Sequence, residues 1–161
     1  MGKKVLKILM ALGVLIVIAI IASVWMVWKR PLTVDARFSR YALGKAGFEK
    51  HQVVTPEGDM TVWEAGAGPC MVLLHGAGDQ AGAWARMVPP LVDDYRVVIP
   101  DLPGHWKSDP QKGPLGIDQI YAGLTAAMDA ACAGERAILV GNSMGGWIGM
   151  LYAHANPDRV E

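Results

Sequence analysis

AILVGNSMGGWIGM, residues 137–150, changes pattern halfway. Its first four residues are an uninterrupted apolar run, the mark of a short strand buried on both faces. From Met144 onward the spacing is helical, and the helix is predicted to run to about Ala155. Ser143 stands at the corner between them, with Gly141 and Gly145 two places to either side. A serine on so sharp a strand-to-helix turn has an exposed hydroxyl. Small neighbours are needed because the two backbones approach closely there. The free N–H groups of the helix N-terminus lie behind it and can stabilise developing negative charge. The plainer alternative is a glycine-lined turn whose serine caps the helix.

A second anion-binding donor would have to come from another loop. LLHGAG, residues 73–78, supplies one: His75, Gly76, Ala77 and Gly78 directly follow an apolar strand. The expected pair of donors is the backbone N–H of Ala77 and that of Met144, with Gly78 as second choice for the first.

Working outward, strands are predicted over 48–54 and 60–64, joined by the turn TPEGD, then over 71–74, 95–99 and 137–140. Helices are predicted over about 83–88, stopped by Pro89 and Pro90, and over 117–131, where Ile117, Ile120, Tyr121, Leu124 and Met128 recur at helical spacing. The order β-β-β-α-β-α-β-α predicts an α/β fold, with a mostly parallel sheet of about five strands and helices on both faces.

Upstream the composition shifts. Residues 8–28 contain no charged side chain, and as a helix they would span roughly 31 Å, enough to cross a bilayer's hydrocarbon core. Lys3, Lys4 and Lys7 flank the run on one side, Lys29 and Arg30 on the other, and Trp25 and Trp28 sit where an interfacial aromatic belt would lie. The run is longer than a signal peptide's apolar region and lacks an A-x-A cleavage site, so it reads as a retained single-pass anchor. The lipid bilayer is thus an expected partner through residues 8–28. Fifteen Lys+Arg balance fifteen Asp+Glu in the 161 residues, and no basic cluster follows the anchor, which argues against a nucleic-acid partner. Cys70 and Cys132 have neither C-x-x-C nor metal-ligand spacing, so no metal site is expected.

These pieces resemble the α/β-hydrolase superfamily, in its esterase, lipase and carbon–carbon-bond hydrolase branch. The resemblance rests on VLLHGAGDQAGAW, VVIPDLPGH, ILVGNSMGGWIGMLYA and the closing NPDRV, in that order over about residues 48–161. Trp106 departs from it, standing where the family usually has a second glycine. The resemblance implies that Ser143 is a nucleophile acting on an ester or related acyl bond of a small molecule through an acyl-enzyme, with no cofactor. It also implies the chain order serine, acid, histidine. Both partners would then follow Ser143, beyond Glu161, and residues 1–161 alone would be inactive or nearly so. Of the histidines present, His75 looks like the family's loop-organising residue, and His51 and His154 are poorly placed. His105 is the one that could come near Ser143. Asp101 reads as a residue that fixes its own loop, and Asp158 as a turn residue.

The expected organisation is an anchor over 1–30, a linker or short amphipathic segment over 31–47, and the N-terminal portion of the hydrolase domain over 48–161. The catalytic portion is expected outside the cytoplasm, as in anchored hydrolases. The family's sheet order makes the strands near Cys70 and Cys132 neighbours. The two cysteines should therefore lie close together at the sheet end opposite Ser143, as buried free thiols rather than as a bond. The rival reading is a non-catalytic, membrane-tethered binding module on the same fold.

Overall fold

A computed structural model describes residues 2–161. The chain divides into two compact units, Met1–Phe38 and Ser39–Glu161. The first contains α1 (Lys3–Lys29), 27 residues with none buried. Among the described residues it is the one helix long and apolar enough to cross a membrane. After Arg30 a second helix, α2 (Pro31–Lys45), begins. It fills most of the segment read as a linker, and the amphipathic alternative describes it better. Pro31 suits a first helical turn, and no further proline or glycine interrupts the segment before Gly44.

The second unit is built on one five-stranded sheet of order β1-β2-β4-β3-β5. β1 (Glu49–Thr55) and β2 (Gly58–Ala65) form the predicted hairpin, and β2 continues antiparallel to β4 (Arg96–Pro100). β3 (Cys70–Leu74) runs parallel to β4 on one side and to β5 (Ile138–Gly141) on the other. Side chains alternate between the faces, as the strand period of two requires. Val72, Leu74 and Val98 join one core with α3 (Ile117–Ala131) and α4 (Met144–Ala155). Met71, Leu73, Val97 and Ile99 join another, with Leu43 of α2 and the segment around Trp84 and Val88.

α3 buries Ile120, Leu124, Ala127, Met128 and Ala131, a single stripe at helical spacing. Its start is closed by the Gln119 side chain, which accepts from the Gly116 N–H at 2.6 Å. Two local expectations need correction. In place of a helix over 83–88 there is a 3₁₀ turn, Ala81–Trp84, followed by further turns. The Gln80 side chain accepts from the Gly82 N–H at 2.8 Å and starts that turn, and Pro89 and Pro90 leave no length for a longer helix.

The cysteines are adjacent as expected, but they form a disulfide, Cys70–Cys132, with Cα atoms 5.9 Å apart. They are not two free thiols. Cys70 is itself the first residue of β3, and Cys132 is the C-cap of α3. The helix end therefore delivers Cys132 directly to the strand start, within bonding reach.

Candidate active site

β5 ends at Gly141, and α4 begins three residues later. Ser143, between them, has φ 52° and ψ −117°. Among the described residues only Trp106 shares a positive φ without being glycine. Such a conformation is costly for an L-residue and persists only where the surroundings enforce it. The enforcement is visible. The Asn142 N–H donates to the Leu74 carbonyl at 2.9 Å, and the Gly145 N–H donates to the Asn142 carbonyl at 2.9 Å. A Cβ on Gly145 would collide with the carbonyls of Leu74 and His75, and one on Gly141 with the backbone of Gly145 and Gly146. The two glycines let β3, β5 and α4 meet at one point. Ser143 is exposed, and its side chain makes no capping bond to α4.

The loop after β3 runs beside this corner. An added Cβ on Gly76 would sit 3.4 Å from the Ser143 Cβ. The loop closes through the Asp79 N–H donating to the Gly76 carbonyl at 3.2 Å, with Gly78 at φ 73°. Ala77 and Gly78 are exposed at its tip. Neither the Ala77 N–H nor the Met144 N–H has an acceptor among the described residues. Met144 opens α4 directly after the serine and Ala77 follows Gly76 in the exposed loop, so both N–H groups are free to meet another acceptor.

His75 is fully buried and holds the loop from beneath. Its Nδ1–H donates to the Gly76 carbonyl at 2.8 Å, and its Nε2 accepts from the Leu102 N–H at 3.0 Å. Both nitrogens are committed to the neutral ring. Burial lowers the His75 pKa, and His105 nearby adds to this, against the opposing effects of the Gly76 hydrogen bond, Asp101 and Asp79. His105 packs edge-on against His75, with ring centroids 4.9 Å apart, and its Nδ1 bonds the Pro103 carbonyl at 2.9 Å. No hydrogen bond joins His105 to Ser143. The structure thus brings Gly76 beside Ser143, with Met144 next to the serine in sequence, but links no histidine to the serine hydroxyl.

A cavity of about 390 Å³ opens against the loop and the corner, lined by His75, Asp79, Ala83, Trp84, Met87 and Asn142. Sequence reading missed Trp84 and Met87 as lining residues. They lie in the segment expected as a short helix, which is a 3₁₀ turn followed by further turns.

The mixed sheet, the strained serine corner and the adjoining glycine loop define an α/β protein of hydrolase type. The sequence pattern of the alpha/beta hydrolase fold matches residues 69–161, and the chain belongs to that family. It is 41% identical over 106 residues to the 2-hydroxy-6-oxo-6-phenylhexa-2,4-dienoate hydrolase of Comamonas testosteroni, covering 60% of this chain and 35% of the relative. It is 34% identical over 130 residues to 2-hydroxy-6-oxononadienedioate/2-hydroxy-6-oxononatrienedioate hydrolase 2 of Pseudomonas putida, covering 78% and 42%. Among solved structures it is similar to a membrane phospholipase A described as a bacterial virulence factor. That match has 32% identity and a TM-score of 0.68, and covers 94% of this chain and 49% of the other. The chain therefore spans well under half the length of these two curated relatives.

Proposed function

We propose that the chain is the N-terminal part of a membrane-anchored serine hydrolase that cleaves an ester or related acyl bond of a small molecule through an acyl-enzyme on Ser143. The observation that supports this reading most is an exposed, uncapped serine at φ 52° with Gly76 of the glycine loop beside it and no acceptor taken by the N–H groups of Ala77 and Met144. A binding module needs neither the strain nor the donors.

In this reading the Ser143 Oγ attacks the substrate carbonyl and gives its proton to a histidine base. The carbonyl oxygen becomes an oxyanion held by the Ala77 and Met144 N–H groups, with Gly78 the second choice for the loop donor. The leaving group departs with that proton, and water then releases the acyl group. His75 is no candidate for the base, since both its nitrogens are engaged. The acid and the histidine are assigned to residues beyond Glu161, and residues 1–161 alone should show little turnover. The relatives, two hydrolases of hydroxy-oxo-dienoates and a membrane phospholipase A, support hydrolysis as the common chemistry.

We place α1 across the bilayer through residues 8–28, with the hydrolase portion outside the cytoplasm. The Cys70–Cys132 disulfide supports that side, because such bonds persist in oxidising compartments.

The test uses detergent-solubilised protein and a short-chain nitrophenyl ester. Full-length protein should turn over, and Ser143→Ala should remove the activity. Residues 1–161 alone should stay near the buffer rate. Robust Ser143-dependent turnover by 1–161 would contradict the assignment of the base and redirect it to His105.

A further inference from the structure

Arg40, in the C-terminal half of α2, is drawn into the hydrolase unit. Its Nη1 reaches both carboxylate oxygens of Asp101, at 2.9 and 2.7 Å, and the Gln80 Oε1 at 3.2 Å. The Arg40 side chain is 11% exposed and that of Asp101 is 0% exposed. Arg40 is the one ion-pair partner of Asp101 among the described residues. A fully buried carboxylate needs such a partner, because leaving it unpaired is strongly unfavourable.

The same acceptors hold the backbone beyond the glycine loop. Asp101 Oδ1 accepts from the Ala81 N–H at 2.7 Å, and Gln80 Oε1 accepts from the Gly82 N–H at 2.8 Å. Asp101 follows the end of β4, and the next residue, Leu102, gives its N–H to His75 at the root of the glycine loop. The guanidinium carbon also lies 4.8 Å from the Trp106 ring centroid and 5.1 Å from that of Trp63. Trp106 has φ 52°, an unfavourable conformation for so bulky a residue, and the cation over its ring offsets that cost. One arginine thus contacts the turn that follows residues 76–79, the residue that follows β4, and the strained Trp106.

We propose that Arg40 is a positioning residue of the active site: through Asp101, Gln80 and Trp106 it fixes the loops over 76–82 and 101–106 against Ser143. The part of α2 from Ser39 onward is then part of the machinery that sets the oxyanion donors. The catalytic half of the claim rests on Ser143 being the nucleophile; the structural half does not.

The test compares Arg40→Met, Arg40→Lys and the double variant Arg40→Met/Asp101→Asn with wild type, all in full-length detergent-solubilised protein. Hydrogen–deuterium exchange is read on peptides covering 76–82 and 101–106, with β1 and α4 as references. Nitrophenyl-ester kinetics are read in parallel. Arg40→Met should speed exchange in the two loops by about tenfold or more while the references stay unchanged. It should lower kcat by about 10- to 100-fold, with KM within about twofold. Arg40→Lys should recover part of kcat, since a lysine supplies the charge without the planar stacking. The double variant removes the unpaired buried charge, so it should fold while its loops stay loose. Loop exchange at the wild-type rate would overturn the proposal. So would exchange that rises equally in the references, which marks general destabilisation, and so would a wild-type kcat in Arg40→Met. If wild type shows no Ser143-dependent turnover, the nucleophile reading fails and the exchange data alone judge Arg40.

Discussion

Gly141 and Gly145 separate geometric need from ordinary helix preference. Gly145→Ala would push a methyl into the carbonyls of Leu74 and His75, the latter 2.6 Å from an ideal Cβ. The backbone of α4 would have to move, at a cost of about 1–3 kcal/mol. Gly44, near the end of α2, has nothing within 4 Å of an added Cβ. Gly44→Ala should therefore be neutral or stabilise by about 0.5–1 kcal/mol. Thermal melts should show a lower midpoint for Gly145→Ala and an unchanged or higher one for Gly44→Ala. His75 gives a pH dependence of definite sign. Its folded pKa lies below the ordinary 6.5 because the ring is buried. The unfolded chain then binds the proton at a higher pH than the folded one. The contribution of His75 to stability is present in full above pH 6.5 and is lost as the pH falls below that value. Melting temperature should decline on acidification from pH 7.5, and the slope should be shallower in His75→Asn. An unchanged slope would mean that the ring titrates alike in both states.

Among the elements, β3, β4 and β5 were legible because each is a short apolar run, with β4 ending at Pro100 and β5 at Gly141, and the start of α4 because helical spacing follows the β5 run. The glycine loop and the serine corner were legible because their small residues serve close approach. α2 was harder. In its part beyond Ser39 only Leu43 is a buried apolar residue, and its other tie to the hydrolase unit is a charged arginine, which a hydrophobic pattern cannot flag. The closeness of the cysteines was legible but the bond was not, because the strand pattern starts at Met71 while Cys70 is itself the first residue of β3, directly opposite the end of α3. The bond joins residues 62 apart in sequence, and a loop of that length predicts roughly 4 kcal/mol of stabilisation in the chain-entropy account. Cys132→Ser should lower the melting temperature in the absence of reductant, and a reductant should bring wild type toward the same value. For α1, deletion of residues 1–30 should move the protein out of carbonate-washed membranes. Retention there would contradict the anchor.

The molecule as a whole joins a fold that many enzymes share to a helix of membrane-spanning length. The fold alone does not define a reaction. The proposed reaction would depend on a few atoms at one end of the sheet: the Ser143 hydroxyl and the N–H groups of Ala77 and Met144. The Cys70–Cys132 bond closes the opposite end, where β3 starts. Hydrolase chemistry follows from this arrangement only if Ser143 carries the acyl group. The most direct measurement is mass spectrometry of the full-length protein quenched during turnover of a slow nitrophenyl ester. The account predicts the mass of one acyl group on the peptide containing Ser143, absent from Ser143→Ala. An acyl group on another residue, or steady turnover with Ser143 unmodified and Ser143→Ala still active, would contradict it.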